Sequence, residues 1–196
     1  MIARRLAPAL ASAALAALLL AGCSAPVTDT APDASAASSA LLADHDLDGL
    51  DARTVVDRLD ALPVAERPTD LIAAVRPDRL ELSDDAGRTA SLPLPEDLFY
   101  ASVAPYADRT HDCFFHSLTT CLGELRNTDV RVIVTDADGS VVMDEMHTTN
   151  DNGFVGLWLP RDIRGTITVE HDGRQAGQQF STDADAPTCL TTLQLT

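Results

Sequence analysis

VRVIVTDADGSVVMDEMHTTNDNGFVGLWLP, residues 130–160, alternates apolar and polar side chains and is broken by two turn clusters, Asp136-Ala137-Asp138-Gly139 and Asn150-Asp151-Asn152-Gly153. A period of two marks a strand with one buried face, and Asp/Asn-Gly clusters between such runs close hairpins. The stretch therefore predicts strands over 130–135, 140–147 and 154–159, the last stopped by Pro160. Downstream, Gly165 to Glu170 turns through His171-Asp172-Gly173 into Gln175 to Ser181, and Thr188 to Leu195 ends the chain. Five or six short strands at this spacing predict a small β-sandwich, with Phe154 and Trp158 as core aromatics.

Upstream the periodicity changes. Val55, Val56, Leu59 and Leu62 recur at helical spacing between Asp51, a suitable N-cap, and Pro63, which predicts a short amphipathic helix over 51–62. Residues 70–75 form one strand, and 79–83 with 88–92 form a hairpin around Asp84-Asp85-Ala86-Gly87. The fold class is α+β, a small N-terminal helix and hairpin region over 41–99 followed by a β-sandwich-like domain over 100–196. Asp44, Asp46, Asp48 and Gly49 imitate the start of a calcium loop, but its twelfth position is Val55, where a bidentate glutamate is needed. Calcium is therefore not expected.

The first 22 residues read as a lipoprotein signal. Arg4 and Arg5 precede an apolar run from Leu6 to Leu20 that is shorter than the roughly 20 residues of a bilayer span, and Leu20-Ala21-Gly22-Cys23 has the form of a lipobox. Cleavage would leave Cys23 as the lipid attachment site and anchor an exported protein to the outer face of the bacterial cell membrane. Residues 23–40, rich in Ala, Ser, Pro, Thr and Asp, have no apolar period and read as a disordered tether. Loss of Arg4 and Arg5 takes the formal charge from −16 to −18, and the chain has no lysine. Nucleic acid is excluded as a partner, since its phosphates demand clustered positive charge.

The chemistry is concentrated in THDCFFHSLTTC, residues 110–121, which holds Cys113, Cys121, His111 and His116, with Cys189 near the chain end. Thiolate and imidazole suit copper(I) first and admit zinc. Seven residues separate Cys113 from Cys121, unlike the two to four of zinc knuckles. Export implies an oxidising compartment, and three cysteines in the mature chain leave two arrangements: one disulfide plus a free thiol, or three reduced ligands. His111 and His116 serve either as ligands or as groups that orient one. Met143, Met146 and His147 could supply thioether and imidazole, but on a strand where Met143 and His147 share a face with Val141 they are expected to serve core and edge packing.

Residues 92–125, with NGFVGLWLPRD over 152–162 and DAPTCLTTLQL near the end, resemble the CueP family of exported bacterial copper-binding proteins. Its T-H-x-C and H-S-L-T-T-C elements fall on Thr110, His111 and Cys113, and on His116 to Cys121, and its three cysteines on Cys113, Cys121 and Cys189. The resemblance implies copper tolerance, with storage or delivery to an exported copper enzyme as client, and an N-terminal dimerising region that makes a homodimer. The lipobox departs from the soluble members of that family. No G-x-S-x-G, H-E-x-x-H or C-x-x-C motif points to an enzyme. The competing reading is a disulfide-stapled structural or interaction lipoprotein without metal.

Overall fold

The computed structural model describes residues 34–196. The signal segment, Cys23 and the tether up to residue 33 lie outside the described residues. Two helices, α1 (Ala34–Asp44) and α2 (Ala52–Asp60), and a single 3₁₀ turn (Val64–Glu66) lead into ten strands. Asp51 caps α2 by accepting a hydrogen bond from Thr54 N at 2.8 Å, while Val55, Val56 and Leu59 are buried beneath it. Among the described residues no helix is long and apolar enough to cross a membrane.

Strands β1 (Leu71–Val75), β2 (Arg79–Asp84) and β3 (Thr89–Pro93) form an antiparallel meander. Strands β4 (Leu98–Tyr106), β7 (Val155–Pro160) and β10 (Cys189–Gln194) form a second sheet in the order β10-β4-β7, with β10 parallel to β4. Strands β5 (Asp129–Asp136), β6 (Val141–Thr148), β8 (Arg164–His171) and β9 (Arg174–Ser181) form a third, in the order β6-β5-β8-β9. The sandwich core lies between these last two sheets, where Phe99, Val103, Leu157 and Leu190 meet Val132, Val134, Ile167 and Val169. The expected strands from residue 70 onward are all present within a residue or two. The β8–β9 hairpin turns on Asp172 and Gly173, both at positive φ, as a two-residue turn of that hand requires.

Strand β4 was not foreseen, because it lacks alternation. Seven of its nine residues are buried, since each of its faces is covered. Phe99, Ala101 and Val103 enter the sandwich core, and Tyr100 joins a second core with the two helices and the β1–β3 sheet. An expected boundary at residues 99 and 100 thus falls inside a strand that serves both cores, and the described residues 34–196 lie in one compact unit. The tether expectation is corrected over 34–40, which belong to α1. Alanine-rich sequence favours helix, and Leu41 is buried in the second core, with Leu42 packed against it. At the far end of α1, Arg88 bridges Asp84 at 2.6 Å and Asp44 at 2.7 Å, tying the helix to the β2–β3 turn.

Candidate metal centre

The segment 110–121 runs between two sheets and is fastened to each. Thr110 Oγ1 donates to Thr191 O at 2.6 Å, and Thr188 N donates to Phe114 O at 2.9 Å, which binds the segment to β10 and its approach. Further along, Val75 N donates to His116 O and Leu118 N to Ala73 O, each at 2.8 Å, so residues 116–118 pair with the edge of β1. Leu190 fills the sandwich core while Cys189 joins Ala104 and Phe154 in a small cluster with Cys113 and Cys121 packed against it. This is how a cysteine 68 positions after Cys121 returns to it.

One ligand atom from each of His111, Cys113, Cys121 and Cys189 lies within 4.8 Å of all the others. All three cysteines are free thiols, with Cys113 Sγ and Cys121 Sγ 3.6 Å apart. Cys189 is buried, and the other three side chains are half-buried at an open cleft of about 550 Å³ lined also by Arg109, Asp112, Leu122 and Glu124. Glu124 Oε2 accepts from the backbone N–H groups of Ala107, Asp108 and Arg109 at 2.7, 2.9 and 3.2 Å, which fixes the loop that carries His111. His111 Nε2 is buried with no hydrogen-bond partner. An orphaned imidazole nitrogen beside three thiols fits a soft metal ion.

The three thiols do not titrate alike. Hydrogen bonding with Cys113 and Cys189, together with His116, holds the Cys121 thiol far below its ordinary value, and Ser117 N adds a hydrogen bond to its sulfur at 3.3 Å. Hydrogen bonding to Cys121 pushes Cys113 up to about 12, and contacts with both other thiols, plus burial, push Cys189 up. Of the three sulfurs, Cys121 is therefore the first to ionise, with the other two held in their thiol form more strongly.

His116 stands outside the four-residue group. Its Nδ1 lies 3.8 Å from Cys189 Sγ, and its Nε2 faces Asp60 Oδ1 at 2.9 Å. Burial pulls its pKa down, but the hydrogen bond to Asp60 and the neighbouring Cys121 outweigh this and raise it to about 8. Asp60 is depressed in turn: burial opposes ionisation, and hydrogen bonds from His116, Tyr100 and Asn152 overcome it. Tyr100 Oη donates to Asp60 Oδ2 at 2.8 Å and Asn152 Nδ2 to Oδ1 at 2.9 Å. A β-carbon on Gly156 would collide with the Tyr100 hydroxyl, so only glycine leaves the ring in reach of Asp60.

Asp60, Asn152 and Arg67 were not found from sequence. Asp60 carries a usable signal, because it follows Val56 by four residues and so sits on the apolar face of α2. Met143, Met146 and His147 lie on β6, at the edge of the four-stranded sheet, and are not in the metal-capable group.

Fold and cluster together define a class: an α+β protein whose converging thiols and imidazole suit a soft metal ion. A family model for the periplasmic copper-binding protein CueP matches residues 54–194, and the chain belongs to that family. The solved crystal structure of S.CueP is 41% identical and superposes with a TM-score of 0.75, covering 81% of this chain and 96% of that one. No curated protein matches the chain.

Proposed function

We propose that this exported CueP-family protein binds one copper(I) ion per chain through Cys113, Cys121 and Cys189, with His111 as an additional ligand. The convergence of these four ligand atoms within 4.8 Å carries the reading. Sulfur donors with few coordination positions favour copper(I), whereas zinc prefers a closed tetrahedron. His116 is assigned to orient Cys189, because Asp60 already occupies its other nitrogen. The protein sequesters or delivers copper in the cell envelope and is not an enzyme.

Competition of the reduced protein against a copper(I) chelator tests this. A single tight site lost in the triple Cys→Ser variant supports it; unchanged affinity in that variant, or after oxidation of the thiols, would place copper elsewhere and make the thiols structural, and no copper binding at all would leave the metal-free structural reading. Family resemblance and the lipobox further support a homodimer, an exported copper enzyme as client, and a lipid on Cys23. Mass spectrometry of the mature N-terminus decides the last of these.

A further inference from the structure

Arg67 follows the 3₁₀ turn and is 7% exposed, yet among the described residues its guanidinium makes a single hydrogen bond, from Nη1 to the carbonyl of Cys121 at 2.9 Å. Its Nε and Nη2 are buried without partners. The carboxylates that attract it electrostatically are engaged elsewhere. Asp60 receives His116, Tyr100, Asn150 and Asn152, and Asp151 receives Val64 N and Asn127 Nδ2 at 2.8 and 3.0 Å. A buried cation without a bonded anion is costly, and replacing one by an apolar side chain of similar volume is often neutral or stabilising. Asp60, Cys121 and Asp151 all attract it, and of these Cys121 is the one that belongs to the metal-capable group.

We infer that Arg67 is a specificity-determining residue of the proposed copper site, supplying the buried positive charge that favours copper(I) over zinc(II) on the same thiolates. The inference rests on the ligand set proposed above. Three thiolates with copper(I) carry a charge of −2 and with zinc(II) a charge of −1; His111 is neutral in either. Whatever the charge of the empty site, the copper complex has one negative charge more, in a chain whose formal charge is already −16. Coulomb energy is linear in that charge, and a partly buried site screens it less than water does. Arg67 therefore stabilises the copper complex by more than the zinc complex. A guanidinium suits this place because it stays charged when buried, where an ammonium loses its proton more readily.

The test compares wild type, Arg67→Met and Arg67→Lys for copper(I) and zinc(II) affinity by chelator competition on reduced, full-length protein. Methionine fills the volume without the charge, so the variant is expected to fold, which its thermal transition checks. Arg67→Met should lose on the order of tenfold in copper(I) affinity and distinctly less in zinc affinity, narrowing the preference; Arg67→Lys should fall between wild type and Arg67→Met, closer to wild type at lower pH, where its ammonium keeps its proton. Equal losses for both metals in Arg67→Met, or no loss for copper, overturn the inference while leaving the ligand set intact. If Arg67→Met does not fold, Arg67→Gln takes its place under the same criterion. Wild-type protein that binds neither metal removes the copper reading itself.

Discussion

Asp60 Oδ1 and His116 Nε2 lie 2.9 Å apart, both side chains closed to solvent, and they join the last turn of α2 to the metal-site segment 56 residues further on. The pair makes the stability of reduced, metal-free protein depend on pH. His116 is raised from 6.5 to about 8, so its contribution is complete below 6.5 and is lost as pH rises through about 8. The shift corresponds to about 2 kcal/mol. Asp60 is depressed, so its contribution is present above 3.8 and is lost as pH falls through its lowered folded value. Urea unfolding should therefore show that the stability advantage of wild type over Asp60→Asn, roughly 3–5 kcal/mol, shrinks between pH 6.5 and 8, the Cys121 thiol contributing alike to both proteins. A difference between the two proteins that stays constant over that window would refute the coupling.

The extent to which this was readable in sequence follows from what each residue faces. β5, β8 and β9 each carry buried residues on one face, so alternation exposed them; β6, which has no buried residue, was legible from the Gly-containing turn before it, and His111 with the three cysteines stood out by composition. β4 was hidden because it is covered on both sides and shows no period. Arg67 was hidden for a different reason, and of Asp60 the sequence offers only its place on the apolar face of α2: each acts across the chain, on the Cys121 carbonyl and on His116, and no local pattern encodes a partner 54 or 56 residues away. His116 sat in the right motif, but which side of it faces a thiol depends on where Asp60 arrives.

Substitution should separate ligands from neighbours. Ser at Cys113, Cys121 or Cys189 should each weaken copper(I) binding far more than Met143→Leu or His147→Gln, since those two side chains lie on β6 outside the group. His116→Gln should cost roughly 10–100-fold by loosening Cys189 rather than by removing a donor. X-ray absorption distinguishes the cases: His111→Ala should lose nitrogen scattering from the copper shell, and His116→Gln should keep it. Retained nitrogen in His111→Ala would reassign the ligand.

Gly123 and Gly153 pass so closely that a β-carbon on Gly123 would stand 2.6 Å from Gly153 O, while Gly123 N donates to Asn152 O at the same distance. Gly123→Ala must push apart the strand of chain that carries Cys121 and the turn that carries Asn152, at a cost of roughly 1–3 kcal/mol. Lowered thermal stability together with weakened copper binding is the expected result. Full copper affinity in a destabilised Gly123→Ala protein would show that the site tolerates displacement of this segment.

Copper uptake should release protons in a fixed number. The Cys121 thiol is held below its ordinary range, while those of Cys113 and Cys189 are pushed above it, the former to about 12, so the metal-free cluster ionises first at Cys121. Ligation by three thiolates must then displace two protons per copper(I). Affinity rises with pH, by about a hundredfold per pH unit for two protons, and the same slope makes the site release copper as the medium acidifies. Calorimetric titrations in buffers of different ionisation enthalpy give the number directly. A release near two supports three thiolate ligands on a singly ionised site; a release near one means that only two thiols bind copper, and a value near three means that Cys121 is protonated before copper arrives.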